Sequence, residues 1–325
     1  MTPPADRPAL LLVSAVNPQP IRDLLDARFA VHAAGPADPL PPGLAERVVA
    51  VATDPGVGAT EALMARLPAL RMIGCYGVGT DAIDLAAAGR RGVAVSNTPG
   101  LLTEDVADLA VLLMLAAARG LPALDAHVRA GQWTTLAARV PLGRTIKDRT
   151  VGIVGLGRIG RAIAERVAAF RTRVLWTGPR PKPDVPWTHV PDLGEMARMA
   201  DVLIVACRGG PETRGIVDAG VIDALGPDGI LVNVARGSVV DEAALVDALS
   251  SGRLGRAGLD VFADEPTVPD ALRALPNVVL SPHQGSATLE TRLAMGRLLV
   301  ENMVAFADGR PLPTPVATPA AEGRA

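Results

Sequence analysis

The sequence predicts an α/β protein made of two doubly wound parallel-sheet domains. Three observations predict it. Short apolar, β-branched runs alternate with Ala- and Leu-rich helical stretches along the chain. The alternation restarts after position 149, so two sheets are needed. A glycine turn that suits a dinucleotide, Gly155-Leu156-Gly157-Arg158-Ile159-Gly160, stands just past the restart.

In the first half, Ala9 to Val16, Val48 to Thr53, Arg71 to Cys75 and Val93 to Ser96 read as strands. Asn97-Thr98-Pro99-Gly100 is a run of turn residues and marks a domain boundary. A long apolar helix begins near Thr103, where Glu104 and Asp105 suit a helix N-terminus. In the second half the strands are Thr150 to Val154, Arg173 to Trp176, Val202 to Ala206, Ile230 to Val234, Ala257 to Val261 and Val278 to Ser281. Helices such as Arg158 to Phe170 and Asp241 to Ser250 separate most of them. A last helix, about Ser286 to Ala307, is expected to cross back to the first domain. Residues 1–100 and 285–325 then form one discontinuous domain, and residues 101–284 the other. The Pro/Ala-rich tail from Pro311 is expected to be mobile.

Composition narrows the function classes. The 325 residues are 49% hydrophobic and 20% charged, which is globular rather than disordered. Aromatics are 2%, so aliphatic side chains must fill the cores. A net charge of -2 gives no basic face for nucleic acid or an anionic membrane. Met1 to Asp6 does not open a signal peptide, and the apolar run Leu109 to Ala118 is about half a membrane span. A cytoplasmic protein is expected. Cys75 and Cys207 read as small buried hydrophobes, and no residue is assigned to a metal.

The turn from Gly155 to Gly160 follows the strand ending at Val154 and opens an amphipathic helix. That context turns a weak motif into a dinucleotide site. The glycines permit the turn, the approach of a pyrophosphate and close helix packing, and the helix N-terminus offers free N–H groups. A carboxylate about 20 residues on would hold the ribose 2′-OH of NAD. None stands there. Thr177 and Arg180, with Lys182 nearby, suit a 2′-phosphate, so NADP(H) is expected as the preferred cofactor with NAD(H) second. The other reading of Arg180 is a solvated loop charge. A second glycine turn, Gly77-Val78-Gly79-Thr80-Asp81-Ala82, carries Asp81 and Asp84, which would repel a pyrophosphate. It reads either as a loop whose N–H groups hold a substrate carboxylate or as a plain turn.

Reducing a 2-keto acid needs a cation for the carboxylate and carbonyl, a hydride donor and an acid for the forming alkoxide. Arg236, Glu265 and His283 are the candidates for the protein's share, and a structural or solvated residue is the other reading of each taken alone. Each lies just past the C-terminal end of an expected strand, where ligands bind in such sheets. His32, His127 and His189 sit in helix- or Pro-flanked surface contexts. A carboxylate beside an imidazole favours its protonated form, which keeps a proton available near neutral pH.

With these motifs the chain resembles the D-isomer-specific 2-hydroxyacid dehydrogenases. The resemblance covers about Val48 to Ala307. It rests on Tyr76 to Asp84, Val154 to Gly160, Asn233 to Gly237, Gly258 to Phe262 with Glu265-Pro266, and Pro282 to Thr288. It implies a Rossmann nucleotide-binding domain inserted in a flavodoxin-like substrate domain. It implies Arg236 on the substrate, His283 as acid/base and Glu265 as its partner. Asp260 would lie near the nicotinamide carboxamide. Cys207, Thr213, Ala235 and Gly285 would line the cofactor groove, and Tyr76, Val78 and Gly79 the substrate site. Within the family the chain looks most like the glyoxylate/hydroxypyruvate reductases, which act on small 2-keto acids. Gln284 departs from the smaller or apolar residue expected there. Trp133 resembles a residue that reaches a partner's active site in a homodimer, and plain dimer packing is the other reading. Two alternatives share the fold: a non-catalytic NAD(P)-sensing corepressor-like protein, and a sister dehydrogenase for phosphite, formate or D-lactate.

Overall fold

The structure is a computed structural model and describes residues 7–16, 18–135 and 140–318. The chain divides into two units, Met1–Leu102 with Ala287–Ala325, and Thr103–Ser286.

The first segment runs β1 (Ala9–Leu12), α1 (Gln19–Arg28), β2 (Ala30–Ala33), β3 (Val48–Thr53), α2 (Glu61–Ala65), β4 (Met72–Cys75), α3 (Leu85–Arg91) and β5 (Ala94–Ser96). The second begins with α4 (Thr103–Arg119) and α5 (Leu121–Arg129), then β6 (Thr150–Val154), α6 (Arg158–Ala168), β7 (Arg173–Thr177), β8 (Thr188–His189), α7 (Leu193–Met199) and β9 (Val202–Val205). It continues with α8 (Ala219–Leu225), β10 (Ile230–Asn233), α9 (Glu242–Ser251), β11 (Arg256–Leu259), α10 (Asp270–Arg273) and β12 (Val278–Leu280). α11 (Leu289–Ala307) and β13 (Pro315–Val316) are the last elements among the described residues.

The first unit holds one sheet ordered β13-β5-β4-β3-β1-β2, parallel except for β13. The second holds β12-β11-β10-β9-β6-β7-β8, parallel throughout. Strand order reverses beside β1 in the first sheet and beside β6 in the second. These are the flavodoxin-like and Rossmann orders, and such reversals open ligand crevices at the C-terminal strand ends.

The central strands are apolar on both faces, as parallel strands covered by helices must be. β1, β4, β9 and β10 are buried at every position. Leu10, Leu11, Ile21 and Leu25 are shut from solvent in the first unit. Each contributes on the order of 1.5–3 kcal/mol. Among the described residues, six helices start on a Thr or Asp side chain that accepts a backbone N–H: Thr60, Asp84, Asp192, Asp218, Asp241 and Thr288. Such caps are worth about 1 kcal/mol each. In the second unit Arg166 on α6 pairs with Glu104 and Asp108 on α4, which fixes one helix against the other.

Several expectations need correction. β1 ends at Leu12, not Val16, and β11 and β12 end before Val261 and Ser281. Those last apolar residues belong to the loops at the strand ends. β2, β8 and β13 were not expected, and His32 lies on β2. The tail is not free from Pro311 onward, because β13 pairs antiparallel with β5. Met1 to Asp6 and residues 319–325 lie outside the described residues. Among the described residues no single helix is long and apolar enough to cross a membrane.

Candidate active site

β6 ends at Val154 and the chain turns at once into α6. Gly155 has φ +93°, and a Cβ there would lie 2.6 Å from Cys207 Cα. A Cβ on Gly160 would lie 2.0 Å from Gly155 O. Both glycines are therefore demanded by the fold itself. Gly157 differs: a Cβ there would meet nothing within 4 Å. The protein leaves space beside it and no side chain caps α6. The N–H groups of Arg158, Ile159 and Gly160 find no acceptor among the described residues. An open space lined by orphan donors at a helix N-terminus fits a pyrophosphate.

Beyond β7, Arg180 is exposed and makes no ion pair among the described residues. Lys182 Nζ donates to Leu156 O at 2.5 Å and so ties this loop to the glycine turn. Asp184 pairs with Arg161, whose hydrogen bond holds the carboxyl below its ordinary value. Thr177 corrects an expectation. It is buried, and its hydroxyl donates to Pro191 O at 3.1 Å.

Cys207 packs its backbone on Gly155, and burial pushes its thiol up to about 11. It is a neutral wall, not a reactive thiolate. The Thr213 hydroxyl donates to Arg208 O at 2.7 Å and holds that loop. Ala235 is buried, with its N–H given to Asn233 Oδ1.

The loops after β10, β11 and β12 bring three expected residues into one cluster. His283 Nδ1 lies 2.6 Å from Glu265 Oε2. Glu265 Oε1 accepts the N–H of Phe262 at 3.0 Å. Burial works to raise the Glu265 carboxyl. The His283 hydrogen bond and charge, the Phe262 N–H and the Arg236 charge outweigh it and hold the group below its ordinary value. Arg236 Nη1 donates to Ala235 O, and Asn233 Nδ2 fixes Arg236 O at 3.0 Å. Gly237 lets this loop meet the next one: a Cβ there would sit 1.9 Å from Phe262 C.

His283 has φ +54°, a strained backbone for a non-glycine residue. Asp260 holds it there. The Asp260 carboxylate accepts from Ser281 Oγ at 2.6 Å, Gln284 N at 2.7 Å and Gly285 N at 2.9 Å. Its carbonyl accepts the N–H of His283 at 2.8 Å. Burial raises the Asp260 carboxyl, against these hydrogen bonds and the His283 charge. The Gln284 side chain folds back, with Nε2 donating to Pro282 O at 3.0 Å.

In the other unit, Tyr76, Val78 and Gly79 share the loop after β4. Tyr76 is a second correction: its side chain is 2% exposed, and Oη donates to Arg292 O at 2.7 Å. The ring serves the fold, under the Arg292 guanidinium at 5.6 Å. The N–H groups of Val78, Gly79 and Thr80 find no acceptor among the described residues.

The family model described as "D-isomer specific 2-hydroxyacid dehydrogenase, NAD binding domain" matches residues 111–285, more than half of the chain. The chain belongs to this family. Among its relatives in the family is the 2-ketogluconate reductase of Gluconobacter oxydans (strain 621H), 43% identical over 96% of this chain and 99% of that protein. A glyoxylate/hydroxypyruvate reductase of Arabidopsis thaliana is 46% identical over 82% of this chain and 85% of its own. A solved structure, the NADPH-dependent glyoxylate/hydroxypyruvate reductase from Sinorhizobium meliloti in complex with NADP and malonate, is similar with a TM-score of 0.91. It is 40% identical and covers 98% of this chain and 100% of that one.

Four further residues support the site of this D-2-hydroxyacid dehydrogenase. They are Asn233, Gly237 and Ser281, which fix the Arg236 and His283 loops, and Asn97, whose Nδ2 donates to Val78 O at 2.9 Å. Asn233 and Gly237 flank Arg236 in the sequence, which was the available signal. Ser281 and Asn97 gave none beyond standing at strand ends.

Proposed function

We propose that this chain reduces a small 2-keto acid, of the glyoxylate/hydroxypyruvate type, to the D-2-hydroxy acid with NADPH. The observation that carries the reading is the Glu265–His283 pair at 2.6 Å. Glu265 occupies Nδ1, so Nε2 is the nitrogen left to carry the transferable proton. His283 gives that proton to the ketone oxygen as the alkoxide forms. Glu265 orients the ring through that contact. Arg236 binds the substrate carboxylate and polarises the carbonyl. Val78 and Gly79 hold the carboxylate through their N–H groups, which makes the first unit the substrate domain. Asp260 and Gly285 position the His283 loop.

The turn from Gly155 to Gly160, with Leu156, Arg158 and Ile159, holds the pyrophosphate, and Cys207, Thr213 and Ala235 belong to loops along the cofactor groove. When bound, the nicotinamide supplies a hydride to the carbonyl carbon. Arg180 would hold the 2′-phosphate. The absence of a carboxylate at the end of β7 and the NADP-bound relative support NADPH, with NADH as the weaker donor. α5 buries none of its side chains, and Leu112, Leu121, Val128 and Trp133 are each more than half exposed. Such an apolar stretch suits a second copy, so a cytoplasmic homodimer is proposed.

The test is a panel of glyoxylate, hydroxypyruvate and 2-ketogluconate with each cofactor, with the chirality of the product assayed. The expected result is NADPH oxidation and a D-product, with Arg180→Ala weakening NADPH about tenfold more than NADH. No reduction of any keto acid would overturn the reaction, and equal effects on both cofactors would overturn the role of Arg180.

A further inference from the structure

The loop after β4 contains three successive peptide planes, each anchored through its carbonyl. Gly77 O accepts from Thr98 N at 2.9 Å, Val78 O from Asn97 Nδ2 at 2.9 Å and Gly79 O from Cys75 Sγ at 3.3 Å. In a trans peptide the C=O and the following N–H leave one rigid plane in opposite directions. Tying each carbonyl therefore aims the next N–H, those of Val78, Gly79 and Thr80. These are the N–H groups that find no acceptor among the described residues. Successive N–H groups aimed together form an anion-binding concavity.

The three anchors are unequal. Thr98 donates from its backbone, and a thiol is a weak donor. Asn97 Nδ2 is the side-chain anchor of ordinary strength, and it sits behind the central plane. Asn97 is itself held. The Thr314 hydroxyl donates to Asn97 O at 2.6 Å and accepts from Asn302 Nδ2 at 2.9 Å. Thr314 N donates to Asn302 Oδ1 at 3.1 Å. Asn302 is fully buried on α11, where Nδ2 also donates to Leu298 O at 2.8 Å. A satisfied buried amide is a rigid support. A polar path thus runs from inside α11, through the residue leading into β13, to the loop.

We propose that Asn97 is a positioning residue that sets carboxylate affinity by fixing the Val78–Gly79 peptide plane, and that Thr314 and Asn302 hold Asn97 in place. This rests on the proposed carboxylate role of Val78 and Gly79. It also gives the C-terminal strand a task in substrate binding.

The test uses the full chain with Asn97→Ala, Asn97→Asp, Thr314→Val and Thr314→Ser. KM and kcat for the keto acid, inhibition by oxamate, NADPH affinity and thermal midpoint are measured on each. Asn97→Ala is expected to raise KM and the oxamate inhibition constant about tenfold, with kcat and NADPH affinity within about twofold of wild type. Asn97→Asp, the same shape without the donor, gives the same loss. Thr314→Val gives about a threefold loss, and Thr314→Ser restores wild-type values. The proposal is overturned by an unchanged KM in folded Asn97→Ala, by a fall in kcat alone, or by a Thr314→Ser variant that behaves like Thr314→Val. A wild-type protein that binds oxamate but reduces no keto acid would refute the proposed reaction; loss of oxamate binding in Asn97→Ala would still support the clamp. A wild-type protein that binds no carboxylate overturns both.

Discussion

Replacing Glu265 by Gln keeps the shape of the side chain and removes its charge. The two carboxylate oxygens serve two donors, His283 Nδ1 at 2.6 Å and Phe262 N at 3.0 Å. Gln has one acceptor oxygen for both. If that oxygen stays on His283, the pair survives as a neutral hydrogen bond. A bond to a charged group is worth about 1.5–3 kcal/mol and a neutral one about 0.5–1.5 kcal/mol. The difference of about 1–1.5 kcal/mol corresponds to a fall in kcat of about five- to twelvefold. The His283 and Glu265 side chains are 40% and 31% exposed, so screening favours the lower end. The amide NH2 then faces the Phe262 N–H, which lowers stability by about 1 kcal/mol. Glu265→Ala removes both bonds and frees the ring, for a loss of about ten- to 150-fold. Steady-state oxidation of NADPH at saturating keto acid reads kcat, and urea unfolding reads stability. A Gln variant with wild-type kcat would refute the claim that the Glu265 charge supports the proton donor.

The same pair makes stability depend on pH. The Glu265 carboxyl is held below its ordinary value in the folded state, so its stabilisation is complete above the unfolded value, about 4.3, and is lost as pH falls through the folded value. Urea unfolding between about pH 6 and about pH 3 should show this loss in wild type, and a smaller slope in Glu265→Gln; equal slopes would exclude Glu265 as a source. Gly157→Ala should keep the wild-type thermal midpoint, because its Cβ meets nothing within 4 Å, yet weaken NADPH about tenfold. Gly160→Ala should instead destabilise the fold by about 1–3 kcal/mol, since its Cβ would lie 2.0 Å from Gly155 O. Thermal melts with fluorescence titration separate the two, and a destabilised Gly157→Ala would contradict the reading of its open space as a ligand's.

Long parallel strands were legible because they are runs of mostly apolar, β-branched residues between turn residues; β3 and β6 fall where the pattern puts them. Strand ends were not, because Val13, Val261 and similar residues stay buried in loops. β13 begins with a proline and exists through its pairing with Val95 and Ser96, a tertiary fact that composition cannot carry. β2 is four residues long and includes His32, which breaks the apolar run. In the site, Glu265 and His283 could be placed at strand ends, but only the fold sets them 2.6 Å apart. The Thr177 hydroxyl, expected near a 2′-phosphate, donates to Pro191 O, and Tyr76, placed at the substrate site by the resemblance alone, donates to Arg292 O; both bonds lie inside one unit, which sequence does not show. Asn97 was hidden for the converse reason: read as part of a turn, it is tied by Thr314, 217 positions away.

The central claim is that His283, oriented by Glu265, delivers the proton to the keto acid. The most direct test compares His283→Ala with wild type in two assays on the same preparation, turnover of glyoxylate with NADPH and NADPH binding by nicotinamide fluorescence. The account predicts a fall in kcat of at least about a hundredfold with NADPH affinity within about twofold of wild type. Turnover that survives the substitution, or NADPH binding lost along with it, would contradict the account.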